Sequence, residues 1–342
     1  MKKRLKSLFK ISVALITIGS LITIIGFIMG GAGELSKEVT ELVHVIRISV
    51  SKTVERIPML ESLANINGFT FEVNKDEFSV VLNEEYETIT GDYSDLKLAE
   101  ASVVENLDIS ILSGKCTILP AENGYYGVES SGTEEFQCYV DESTLYLSVF
   151  PGDFRTEEDS EVTLYVPEDV YYEKVLLFCS ADEMEIDAEL TGDELKISSI
   201  CGNNVFSETM VFDETLMTVG IGSLSVAGVK GESLKVEVST ADVKISGMDV
   251  ETLEVNLGMG NLTIEGTTAG DMTLHCGVGH LEMFLTDAQD AYNYDISGSA
   301  ESVQIGTDTL AGMVMERWID HGSDKKITMS CSMGSIKIEF EQ

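Results

Sequence analysis

One phrase recurs seven times between Val175 and Glu339, and its clearest copies follow one another every nineteen residues. Aligned on the second beat, the copies fall at Met184, Leu224, Val243, Leu262, Leu281, Val303 and Ile336, with a degenerate eighth at Val205. The steps are 21, 19, 19, 19, 19, 22 and 33, a regular middle framed by looser ends. A period near twenty makes each copy one turn of a solenoid. A stack of such turns presents long flat faces rather than an enzyme cleft.

Within a copy, apolar and polar residues alternate, which is the pattern of a strand with one face buried. In the run LEVNLGMGNLTI, Leu253, Val255 and Leu257 point inward while Glu254 and Asn256 face water. A Gly-x-Gly corner follows at Gly258–Gly260 and again at Gly277–Gly279. A second strand then buries Leu262 and Ile264, and a further glycine ends it: Gly228, Gly247 and Gly266 are nineteen apart. One unit cannot cover its own apolar face, so stacking must do it. In-register stacking lays Lys235 over Glu254, an opposite-charge pair. It also lines up Ser223, Asp242, Asn261, His280, Ser302 and Ser335 along one corner. The fold class is therefore all-β, a parallel β-solenoid over residues 166–342.

The ends of the stack need protection, because open strand edges recruit others. The longest gap between copies, the insertion 307–326, holds Arg317 and Trp318, the one tryptophan. It is predicted to fold over the C-terminal coil as a cap. Residues 67–165, with runs such as Leu107–Ile111 and Val162–Pro167, read as irregular strands that begin and cap the other end.

Residues 1–10 are basic, and residues 11–33 form an uncharged run rich in Ile, Leu and Gly. Those twenty-three residues span roughly 35 Å as a helix, enough for a ~30 Å hydrocarbon core. With five cations on their N-terminal side, they predict one N-terminal transmembrane helix, a cytoplasmic N-terminus and an extracellular C-terminal domain. A cleaved signal peptide is the rival reading, with a poor cleavage site at Gly31–Gly33. Residues 34–66 carry Leu35, Val39, Leu42 and Ile46 at helical spacing before Pro58, a juxtamembrane stalk.

Residues 34–342 hold 17 bases against 59 acids, a net of −42, since all five remaining cations precede residue 34. Such a surface repels nucleic acid and anionic lipid, so neither DNA nor RNA is an expected partner. Acidic loops such as Glu157–Asp159 offer only weak Ca2+ binding, with nothing to fix ligand geometry. The six cysteines include Cys179, Cys276 and Cys331 at one repeat position, where Val219, Val238 and Leu257 stand in other copies. Cysteine there acts as a small buried hydrophobe. Cys276 and Cys331 are two copies apart in sequence, which in a sequential stack is too far for a disulfide. No CxxC pair suggests a zinc or redox site.

No catalytic, cofactor-binding or metal site emerges. His275 and His280 lie on one repeat around Cys276, and both read as solvated surface histidines. The Gly-x-Gly runs open no helix, so they do not form a phosphate cradle. Calcium-binding nonapeptides are absent. Arg317 and Trp318 are the candidate partner contact, since both residue types are enriched at interfaces; an aromatic lid over a coil end is the other reading.

The succession Leu107–Leu119, Val162–Pro167 and the repeated run to Ile338 resembles the bacterial putative-adhesin family of β-strand repeats found in Firmicute cell envelopes. The resemblance covers about two-thirds of the chain. It implies a parallel β-solenoid at the cell surface with adhesive or envelope-stress roles, and it carries over no catalytic residues. The expectation is a non-enzymatic, single-pass, membrane-anchored surface module that binds a protein or surface ligand. The alternative is an envelope sensor or regulatory accessory acting with a membrane partner.

Overall fold

The computed structural model describes residues 86–342 apart from 133–134, 151–160, 181–182, 299–301, 311–314 and 342. The predicted transmembrane segment and stalk lie outside the described residues. Among the described residues no helix is long and apolar enough to cross a membrane. Helical structure among them is confined to two short 3-10 turns, Ala101–Val103 and Gln289–Ala291.

The alternating pattern becomes two parallel ladders, one for each beat of the phrase. In the second-beat ladder Cys116, Met184, Asn204, Leu224, Val243, Leu262 and Leu281 are successive register partners. In the first-beat ladder Leu177, Ile197, Met217, Val236, Val255 and Leu274 do the same. Their side chains fill one continuous core, and Val236, Val255, Leu262 and Leu274 are wholly buried. Lys235 lies over Glu254, as the repeat requires, with Nζ 3.4 Å from its carboxylate.

The degenerate copy is corrected by one residue. Asn204, not Val205, occupies the buried second-beat position, and Val205 is exposed. The buried amide is satisfied: its oxygen accepts from the Met184 N–H at 3.0 Å, and its nitrogen donates to Ser199 Oγ at 2.7 Å. A buried amide with its partners in place is tolerated in such a core.

Gly228 and Gly247 do not end strands either. Ser223–Val238 and Asp242–Leu257 run through them, joining the second beat of one coil to the first beat of the next. Close to these glycines the pairing with Asn203–Val219 shifts register at Phe206/Thr209, and the pairing with Asn261–Thr268 shifts at Ile245/Met248. A bulge bends a strand without ending it.

The coils do not stack in chain order at either end. Strands Lys325–Cys331 and Ser335–Phe340 insert between the coil ending at Leu285 and the coil Tyr292–Ile305. The insertion therefore caps a different coil from the one expected. Asp308–Leu310 and Met315–Ile319 pair antiparallel with Ser302–Ile305 and Tyr292–Gly298, so the last coil in space is not the last in sequence. At the other end Asn106–Ile111 and Lys115–Ala121 lie between the coil Thr144–Pro167 and the coil Tyr171–Ile186. These upstream strands are in-register members of the stack rather than irregular additions to it. Beyond them the pairing turns antiparallel, with Tyr125–Ser131 on Glu161–Pro167 and Glu135–Asp141 on Thr144–Phe150. Antiparallel strands thus finish both ends of the parallel stack.

Candidate interaction surface

Each coil turns its corner within three residues, and the tightness of that corner sets what can stand there. A Cβ on Gly279 would lie 2.1 Å from the Gly260 carbonyl oxygen of the coil below, and one on Gly260 would lie 1.8 Å from that of Ala241. Gly222 in the same column has φ +107°, a conformation that disfavours side chains. The flanking positions are thus held to small residues, and the residue between them is pushed outward.

That middle position is apolar in four of five successive coils. Ile221, Met259, Val278 and Met333 are exposed, at 65%, 64%, 47% and 66%, and Thr240 completes the column. Backbone hydrogen bonds fix the order: Thr240 N–H donates to Gly220 O, Met259 to Ser239 O, Val278 to Gly258 O and Met333 to Gly277 O. The sequence carried this signal in the x of Gly-x-Gly. In an alternating pattern, however, an apolar residue reads as core.

Polar ladders flank the apolar column. On one side Thr218, Glu237, Asn256, His275 and Ser330 are register partners; on the other are Ser223, Asp242, Asn261, His280 and Ser335. His275 and His280 are each joined through Nδ1 to a serine hydroxyl of the next coil, Ser330 and Ser335, at 2.6 Å. Asn261 donates to Asp242 Oδ1 at 2.6 Å. A Ser–His contact is half of a nucleophilic pair, but among the described residues neither ring is hydrogen-bonded to a carboxylate that would orient it. No group of three His, Cys, Asp or Glu able to hold a metal ion occurs among the described residues.

Farther out on the faces, lysines sit among carboxylates. Lys337 reaches Glu282 at 2.6 Å and Glu339 at 2.8 Å, and those hydrogen bonds raise its pKa above the ordinary lysine value. Lys235 bridges Glu237 and Glu254, and Lys115 bridges Glu183 and Glu185.

Arg317 and Trp318 stand on the antiparallel strand Met315–Ile319, with Trp318 opposite Asp295 and Arg317 opposite Ile296. Both are exposed, Trp318 at 56%, so the indole is no lid over the coil end. Ile319 packs against the core in its place. Neither residue is near the apolar column in register.

Residues 137–307, half of the chain, match the family model Toastrack DUF4097. No curated protein matches the chain. Solved structures with similar strand arrangements include a putative adhesin from Bacteroides fragilis, 15% identical, covering 74% of this chain and 97% of its own at a TM-score of 0.44. A putative cell adhesion protein from Clostridium sporogenes is 14% identical over 73% and 100%, with a TM-score of 0.20. A putative adhesin from Parabacteroides distasonis is 11% identical over 75% and 98%, with a TM-score of 0.35. At these scores the likenesses carry no argument.

Proposed function

The chain belongs to the Toastrack DUF4097 family, and we propose that it is a non-enzymatic interaction module, held at the cell surface by residues 11–33 and working through the outside of its solenoid. The observation that carries this reading is the exposed apolar column at the corner of an otherwise charged stack. Isolated exposed apolar residues need no explanation, but a contiguous row of them marks a contact surface. The row is also held in place by its backbone, since Thr240, Met259, Val278 and Met333 each donate their N–H to the coil below. Arg317 and Trp318, exposed on the outermost strand, are a second contact in this proposal.

The test compares the full chain with one lacking residues 1–33, each measured for binding to intact cells. A surface-binding module keeps its binding when soluble. Loss of all binding on release from the membrane would instead favour an accessory that acts on a membrane partner.

A further inference from the structure

We propose that the apolar column is where a second copy of this chain docks, with the two solenoids antiparallel. The proposal deepens the interaction-module reading and rests on it for its setting.

Charge selects the occupant. Residues 34–342 carry a net of −42, so two copies repel one another over most of their surface. The corner is different: residues 218–223, 256–261, 275–280 and 330–335 contain no Asp, Glu, Lys or Arg. Only the rung 237–242 is charged, through Glu237 and Asp242. A strip five rungs long, roughly 19 Å at ~4.8 Å per rung, is thus apolar at its crest and almost free of the charge that keeps copies apart.

The two charged residues also choose the orientation. Two copies meeting crest to crest are related by a two-fold axis lying either along the strip or across it. An axis along the strip sets equal rungs together and exchanges the flanks, so Asp242 of each copy meets Glu237 of the other, carboxylate against carboxylate. An axis across the strip at Met259 keeps each flank with itself and reverses the rungs. Met259 then meets its own counterpart, Ile221 meets Met333, and the rung of Thr240 meets the rung of Val278. On one flank Asp242 faces His280, and on the other Glu237 faces His275, each pair occurring twice by symmetry.

The side chains suit this arrangement. Both histidines are exposed and tied through Nδ1 to Ser330 and Ser335, which leaves Nε2 as the ring edge for a partner carboxylate. Asp242 is exposed and held by Asn261 through one oxygen, leaving the other free. Glu237 is shared with Lys235 at 3.1 Å and contributes less. The strip is smaller than the ~800 Å² per partner of a stable complex. Association is therefore weak in dilute solution and gains from confinement of both copies to one membrane.

The test uses the full chain in neutral detergent, with more micelles than chains, and mild copper-catalysed air oxidation. Met259→Cys is expected to give a covalent dimer, while Val205→Cys, exposed elsewhere on the stack, is not. Chains carrying Asp242→Cys mixed with chains carrying His280→Cys are expected to cross-link at least tenfold more than either alone. The Ile221→Ser/Met259→Ser/Met333→Ser variant, altered only at exposed positions, is expected to self-associate at least tenfold more weakly in sedimentation. Cross-linking of Met259→Cys no greater than the control overturns the proposal. So does equal cross-linking of Asp242→Cys with itself, or self-association unchanged in the triple variant. Should the chain be monomeric while the triple variant loses binding to intact cells, the column faces a foreign partner: the dimer fails and the interaction module stands.

Discussion

The order of the last coils can be read out through two native cysteines. Cys276 and Cys331 are separated by about 55 residues, yet they are register partners on neighbouring strands. This reverses the expectation from sequential stacking, in which Cys276 would face Gly298, the residue that Cys331 in fact separates from it. Neighbouring rungs lie ~4.8 Å apart and alternate rungs ~10 Å, while a disulfide spans Cα atoms 4.4–6.8 Å apart. Only the intercalated order permits a bridge. Cys276 and Cys331 are both free thiols in the structure, and the hydrogen bond to Cys331, together with burial, pushes the Cys276 thiol well up. Refolding the reduced chain in a mildly oxidising thiol buffer is expected to join Cys276 to Cys331, read by peptide mapping without reduction. Closing a loop of that length is worth about 4 kcal/mol in the chain-entropy model, a rise of roughly 8–16 °C in melting temperature. Cys331→Ser should abolish both the linked peptide and the rise. A refolded chain in which Cys276 stays free, or pairs with Cys179, refutes the intercalated order.

Three further outcomes follow from the packing. Burial raises the pKa of Asp108 against a smaller opposing effect from Lys174, so its ionised form weakens the fold; stability is full below the unfolded carboxylate pKa and falls as pH rises through the folded one. Asp108→Asn should raise the melting temperature by about 1–3 °C at pH 7, a gain that disappears in acid. Lys325 donates to Asp287 at 2.9 Å and to the Thr268 carbonyl at 2.8 Å, and its hydrogen bond lowers the Asp287 pKa. Lys325→Met should cost about 1–2 kcal/mol at pH 7 in denaturant titration; part of this gap closes in acid, as pH falls through the lowered Asp287 pKa of the parent chain. Gly279→Ala places a methyl 2.1 Å from the Gly260 carbonyl, and should cost about 2–3 kcal/mol by the same titration.

The parallel ladder was legible because its periodicity and its burial are the same fact: a side chain every second residue, on a coil every nineteenth, must meet its counterpart. Lys235 and Glu254 could be paired from sequence for that reason alone. What spacing could not convey was which neighbour a coil finds when the period breaks. The steps of 22 and 33 leave enough chain for the C-terminal coil to pass over Tyr292–Ile305 and seat against Leu281, and nothing in a list of intervals separates this from an insertion folded as a lid. The physical reason for the detour is visible in the edge it leaves. With Ile327–Phe340 inside, the exposed end is the coil whose following segment supplies Asp308–Leu310 and Met315–Ile319 as antiparallel partners.

The exposed apolar column was hidden by the same alternation that revealed the core. Along a strand, hydrophobicity reports the direction of a side chain, and Ile221, Met259, Val278 and Met333 continue the apolar beat begun by Val219, Leu257, Cys276 and Cys331. At the corner the backbone turns, so the next residue in phase points outward while its neighbours stay within. Val219 is buried and Ile221 is 65% exposed, two residues apart in an uninterrupted pattern. The flanking small residues were the available clue, since a position hemmed by Gly on both sides has no room to turn inward. Asn204 shows the converse, a polar residue where the beat demands an apolar one, acceptable because Met184 and Ser199 supply its partners. In both places the pattern gives the position of a residue in the coil, and the turn of the backbone decides which way it faces.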